Sequence, residues 1–271
     1  MMFDLSLLGT APIFNLFICF CAVMAVAISK AGFGGSMGAL AAPIMLFSFA
    51  PTTALGILLP VFVLIDIWLV WQWRKVGIRH LIIWMIIAGT IGQIIGWLLL
   101  SLGNFDDDLL LLFIGLIAFV TGARYFWQMM MKRPSAIHFR ASIRAIRKRY
   151  KKRALIWCSL SGFTSFVSLT GGIPVQIYML PMRLPRQLFI GTMAWYFLFL
   201  NAFKIPFFVE LEFITTQTMV VTALITLFVP LGVIIGRYLN KVISDSLFYN
   251  VAYSALVILG LRLVAQFFSG A

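Results

Sequence analysis

Acidic side chains are scarce in this sequence. Asp and Glu together number 8 among 271 residues, and charged residues of both signs make up 11%. A soluble globular domain carries about a quarter charged residues, so there is too little charge here to cover a water-exposed surface of ordinary size. The shortage also bears on catalysis. No paired-carboxylate constellation, H-E-x-x-H motif or nucleophile elbow occurs. The 2 histidines, His80 and His138, have no carboxylate or cysteine partner nearby in sequence. No metal and no cofactor is therefore expected. The 3 cysteines, Cys19, Cys21 and Cys158, are odd in number, lie in apolar segments and lack CxxC spacing. They read as small buried hydrophobes rather than a disulfide framework. The first Lys or Arg is Lys30, so the positive leading region of a cleavable signal is not expected.

What the chain has instead is apolar length. Apolar residues make up 62% and the mean hydropathy is +1.05. Runs such as 53–73, 81–102 and 109–131 each reach the roughly 20 residues of a bilayer-spanning helix, the form that satisfies its own backbone in lipid. Ten apolar segments follow one another: 13–29, 36–50, 53–73, 81–102, 109–131, 154–169, 173–182, 187–209, 213–236 and 247–268. The expected fold is an all-α polytopic membrane protein, multi-pass in a bacterial inner (cell) membrane. The net charge of +13 does not point to nucleic acid, because 10 of the 21 basic residues fall between Lys132 and Arg153. That segment reads as a basic linker, with Phe139, Ile143, Ile146 and Tyr150 on one face of a short amphipathic helix. Anionic lipids are its expected partners.

The segments repeat. Gly34-Gly35 is followed by Pro43, Pro51 and Gly56, and Gly171-Gly172 by Pro181, Pro185 and Gly191. Gly92 and Gly96 match Gly232 and Gly236 at an offset of 140, and Gly122-Ala123-Arg124 matches Gly260-Leu261-Arg262 at 138. The order of these matches implies a duplication, with residues 1–131 as one repeat, 132–153 as the linker and 154–271 as the other. Lys and Arg collect on the cytoplasmic side of a membrane. Arg74, Lys75, Arg79, the linker, Arg183, Arg186, Arg237 and Lys241 mark that side, while Asp106–Asp108, Glu210 and Glu212 fall opposite. Five segments per repeat, an odd number, make the two repeats inverted in topology. Inverted repeats are common among secondary transporters.

Two segments, 36–50 and 173–182, would make helices of about 22 and 15 Å, too short for a hydrocarbon core of ~30 Å. Each follows a glycine-rich break. A nucleotide loop would need a preceding strand, which an apolar helix excludes; close packing through small residues is the simple alternative. A discontinuous helix is the sharper one, because its new N-terminus offers free N–H groups to an anion. Charged and polar residues also occur at membrane depth. A charge there costs about 2.5–3.5 kcal/mol on insertion scales, so it faces a partner or a cavity. Asp66 falls opposite Asn201 at an offset of 135, with Lys204 three residues further on. Lys30, beside the first break, reads either as part of this set or as a cytoplasmic anchor.

The stretches AGFGGSMGALAAPIMLF at 31–47 and SGFTSFVSLTGGIPVQIYMLP at 161–181 resemble the sulfite exporter TauE/SafE family of membrane permeases. The likeness extends over nearly the whole chain, although the second glycine motif is the shorter Thr-Gly-Gly. The resemblance implies transport of small anions such as sulfite, sulfoacetate or organosulfonates. With it, the expected substrate site comprises Gly32, Gly34, Gly35 and Ser36 of the first break, Thr170, Gly171 and Gly172 of the second, and Asn201 and Lys204. Asp66 is expected to couple transport to protons or to pair with Lys204. A passive anion channel and, more remotely, a membrane-embedded enzyme are the alternatives. A homo-oligomer is compatible with the sequence.

Overall fold

The computed structural model describes residue 7 and residues 11–33, 36–102, 106–131, 143–179, 182, 184–242 and 245–269. Among them there is no strand. The helices are α1 (Pro12–Phe33), a 3-10 turn (Ser36–Leu40) leading into α2 (Ala41–Met45), α3 (Pro51–Trp73), α4 (Arg79–Leu102), α5 (Asp107–Met130), α6 (Ile143–Ser168), α7 (Gly172–Met179), α8 (Arg186–Glu210), α9 (Thr216–Thr226), α10 (Val229–Val242) and α11 (Asp245–Ser269). Five are long and apolar enough to cross a bilayer, and α9 with α10 makes a sixth span if the bent pair is counted as one. The chain is an all-α, multi-pass membrane protein.

Local chemistry sets the helix ends. Pro51 opens α3, where a missing N–H does no harm. The Asp106 side chain accepts from Leu109 N at 3.0 Å and caps α5. Asp107 accepts from Thr52 N at 3.1 Å, tying the start of α5 to the start of α3. Thr215 and Thr218 form a reciprocal box at the head of α9. Two boundaries differ from the sequence reading. The segment 213–236 is not one helix but α9 and α10, bent by 48°; Pro230 cannot donate back to Thr226, and the helix breaks there. The linker helix does not stand apart either. It runs from Ile143 straight through position 153 into α6, while residues 132–142 lie outside the described residues.

Two hairpins point in opposite directions. The bundle has an acidic end, at Asp106–Asp108, and a basic end, at Arg74, Lys75 and Arg79. In the α6–α7 hairpin, Arg153 donates to Ile177 O at 3.3 Å and Ser161 to Gly171 O at 2.6 Å, so α7 runs back antiparallel along α6. Lys151 lies 4.3 Å from the centre of the Trp84 ring, near the start of α4, which puts this hairpin's open side at the basic end. The other hairpin opens the opposite way. Phe20 meets Phe228, Met24 and Ala27 border Gly232, and Ile28 borders Gly236, so α1 runs parallel to α10. Arg237 of α10 bonds Gln72 near the basic end of α3. Residues 36–50 lead to the acidic end, where α3 begins. The 3-10 turn lies against α7, and Ile173 packs with Ala39 and Leu40.

Helices in lipid gain little from hydrophobic association and rely on close packing. Here glycines let backbones touch. A Cβ on Gly56 would lie 1.8 Å from Phe213 O, and one on Gly191 would lie 2.2 Å from Val76 O. Likewise α4 packs on α6 through Gly92, and α10 on α1 through Gly232. We therefore expect Gly92→Ala, whose Cβ would sit 1.8 Å from Ser159 O, to destabilise the protein, by about 1–3 kcal/mol. Gly38→Ala, whose Cβ would meet nothing nearer than the Phe62 ring at 3.7 Å, should be neutral or slightly stabilising. Thermal unfolding in detergent checks both; equal losses would mean that close backbone contact is not what holds α4 to α6.

Candidate functional site

The centre of the bundle is where α3 and α8 cross. These helices run antiparallel: Ile78 N, just past α3, donates to Thr192 Oγ1 near the start of α8 at 3.2 Å, and Gly56 faces Phe213 beyond the end of α8. Midway, Asn201 Nδ2 donates to Asp66 Oδ2 at 2.6 Å. The other carboxylate oxygen accepts from Lys30 Nζ of α1, also at 2.6 Å. The Lys30 ammonium further lies 4.6 Å from the centre of the Phe62 ring and 5.4 Å from that of Phe197, both favourable for a desolvated cation. Asp66, Lys30 and Asn201 are all buried.

Lys204 completes the set from the next turn of α8. Its Nζ donates to Ser165 O and to Ser165 Oγ, both at 2.9 Å. Ser165 O belongs to the last turn of α6, the negative end of that helix's dipole, where a cation is stabilised. Lys204 is 0% exposed, so it does not extend to the membrane surface.

Beside Ser165 lies the second break. Leu169 ends α6 at φ 57°, left-handed backbone that a leucine adopts at a cost of about 1–3 kcal/mol. Its neighbours fix the turn with hydroxyls: Ser168 and Thr170 share a hydrogen bond of 2.6 Å, and Thr170 N donates to Thr164 O at 3.3 Å. Ser161 bridges Gly171 O and the Tyr196 hydroxyl of α8, which donates to it at 3.0 Å. Gly171 fits because a Cβ there would lie 2.5 Å from Ser161 O. Gly172 then starts α7.

The structure thus joins Asp66 with Asn201, and brings Lys204 to the α6 end of the second break. It does not pair Asp66 with Lys204, the pairing weighed from sequence. Lys30 takes that place because α1 lays it against the free carboxylate oxygen, while Lys204 is drawn to the carbonyl end of α6. Of the first break, Gly32 lies in the last turn of α1 and Ser36 opens the 3-10 turn; Gly34 and Gly35 lie outside the described residues. Lys30 was left out of the sequence-derived site, and Ser161 and Tyr196 went unnoticed. One signal for Lys30 was available. Lys30 and Ser165 are 135 residues apart, the same offset as Asp66 and Asn201.

A separate cavity of about 240 Å³ lies at the basic end, lined by Leu81, Trp84, Tyr150, Lys151 and Tyr178 among others. Among the described residues no group of His, Cys, Asp and Glu is arranged to hold a metal.

The family model described as Sulfite exporter TauE/SafE matches residues 19–263, nearly the whole chain. The chain belongs to that family of membrane transporters. No curated protein and no solved structure gives a significant match.

Removing one partner of a buried ion pair leaves the other charge uncompensated, a loss of about 3–5 kcal/mol. Lys30→Met should therefore lower stability by that amount, and the double variant Lys30→Met/Asp66→Asn should recover more than half of it. Unfolding of the purified variants in detergent measures the cycle. A loss below about 1 kcal/mol for Lys30→Met would show that the pair does not hold α1 to α3.

Proposed function

Starting from this family membership, we propose that the protein is a secondary transporter that exports small anions, sulfite, sulfoacetate or organosulfonates, across a bacterial inner membrane by alternating access. The observation that carries this reading is the central cluster. Two buried lysine side chains stand against one buried aspartate, beside a strained break rich in hydroxyls. A buried excess of positive charge suits an anion. In this reading the anion is held by Lys204 and Asn201 and by the backbone at the two breaks, Gly32–Ser36 and Thr170–Gly172. Glycines at such breaks let a ligand approach the backbone closely.

The two-repeat architecture is part of the same proposal. Residues 1–131 and 154–271 are taken as repeats of opposite orientation joined by the basic segment 132–153. Support comes from the packing partners, which exchange consistently. Where α1 lies on α10, α6 lies on α4; α3 crosses α8 and α5 lies on α11. The hairpins α1–α2 and α6–α7 open to opposite ends, as inverted repeats require. The basic end, with Lys151 beside Trp84, is the cytoplasmic end in this reading, and anionic lipids flank it. Rocking one repeat against the other would open the centre to each side in turn. Asp66, set between the repeats, is the coupling residue: it takes up and releases the proton that accompanies the anion.

Transport by the purified protein in vesicles tests the proposal. The wild type should accumulate labelled sulfoacetate, which carries two negative charges at neutral pH, against its gradient when a pH gradient is imposed. Lys204→Met and Gly172→Val should abolish anion binding, and Asp66→Asn should still bind anion while losing the dependence on the pH gradient. Permeation that never exceeds equilibrium would identify a passive anion channel. Full pH-coupled transport by Asp66→Asn and Lys204→Met would return both residues to structural roles.

A further inference from the structure

The charged set at the crossing of α3 and α8 is closed off from solvent: Lys30 is 4%, Asp66 1% and Lys204 0% exposed. Asp66 uses one oxygen on Lys30 and the other on Asn201, while among the described residues Lys204 donates to the neutral oxygens of Ser165. The charged groups facing Asp66 are Lys30 from α1 and Lys204 from α8. Of the other helices packed on α3, α9 brings the hydroxyls of Thr218 and Thr222, α2 carries no ionisable residue, and α5 brings Asp107 to the far end, at Thr52. In such an interior an unbalanced charge is penalised far more heavily than in water. The anion that enters must therefore nearly balance the set, and Asp66 is the acidic group within it.

Resting on the anion-transport reading above, we infer that Asp66 matches its protonation to the valence of the bound anion. A monoanion binds against the ionised carboxylate. A dianion brings one proton with it, taken from solvent, and the O–H bond forms on Asp66. No other bond changes. Protonation releases Lys30 from its ion pair, so a second ammonium becomes available for the second negative charge. Asn201 keeps the acid in place, because its Nδ2 can still donate, more weakly, to the carbonyl oxygen of the neutral acid. When the dianion leaves, Lys30 returns to Asp66 and the proton is expelled. One pair thus adjusts the site to the charge of its ligand and ties proton movement to it.

Two probes separate this rule from the anion site itself. Sulfate is a dianion throughout the neutral range and methanesulfonate a monoanion. Both are titrated calorimetrically into the full-length protein, in buffers of different ionisation enthalpy, to count the protons taken up with each. Sulfate should bring about one proton more than methanesulfonate, and its affinity should fall about tenfold more per unit rise in pH. In Asp66→Asn the difference should vanish. If that variant does not fold, the wild-type proton count still decides. Equal counts for the two anions would overturn the valence rule and leave the anion site standing. Binding of methanesulfonate with no sulfate binding even under acidic conditions would overturn it too, as would a difference that persists in folded Asp66→Asn. Binding of neither anion would overturn both the rule and the transport reading.

Discussion

A carboxylate buried in the middle of a bilayer-spanning bundle persists only while partners surround it, and the partners of Asp66 come from distant parts of the chain. Lys30 arrives from α1 and Asn201 from α8, each at 2.6 Å. Holding those two contacts fixes α1, α3 and α8 against one another. Lys204, one turn from Asn201, extends the network to the end of α6 through Ser165. Four helices are therefore tied together through Lys30, Asp66, Asn201 and Lys204. The interaction that keeps a costly group in the membrane also sets the position of both hairpins.

On the two-repeat reading, the place of Asp66 has a geometric reason. A residue that touches its own counterpart in the other repeat lies on the axis relating them, and Asp66 touches Asn201, 135 residues on. The flanking contacts respect the same relation, Gly56 against Phe213 on one side and Gly191 against Val76 on the other. Strict symmetry with aspartate at both positions would place two carboxylates face to face. One of each gives a hydrogen bond instead of repulsion. Away from the axis the bundle is held by glycine-mediated backbone contact, which is rigid. At the second break it relies on short hydroxyl bonds and a leucine in left-handed backbone. The rigid part and the strained part meet at the charged centre.

The long spans were legible because apolar length is a direct consequence of the lipid solvent. The second break was legible because Thr170-Gly171-Gly172 interrupts an apolar run, and α6 ends just before it; Gly34 and Gly35 of the first lie outside the described residues. The bend between α9 and α10 was not legible, since an apolar window takes no account of the missing N–H of Pro230. Asp66 and Asn201 were found together through their common offset. Lys30 was harder: a lysine near a helix end reads naturally as a surface anchor, and its partner lies 36 residues away on another helix. One of the two roles weighed for Asp66, pairing with Lys204, falls to Lys30 in the structure for the same reason. Spacing along one helix says which residues share a face, but not which of two lysines a neighbouring helix delivers to the carboxylate.

The measurement that bears most directly on this account is a structure of the protein determined with a sulfonate bound. The account predicts the sulfonate oxygens within hydrogen-bonding distance of Lys204 Nζ and of the turn Thr170–Gly172, with Asp66 still beside Asn201. A sulfonate found instead in the cavity between Trp84 and Lys151, with the central cluster unchanged, would contradict it.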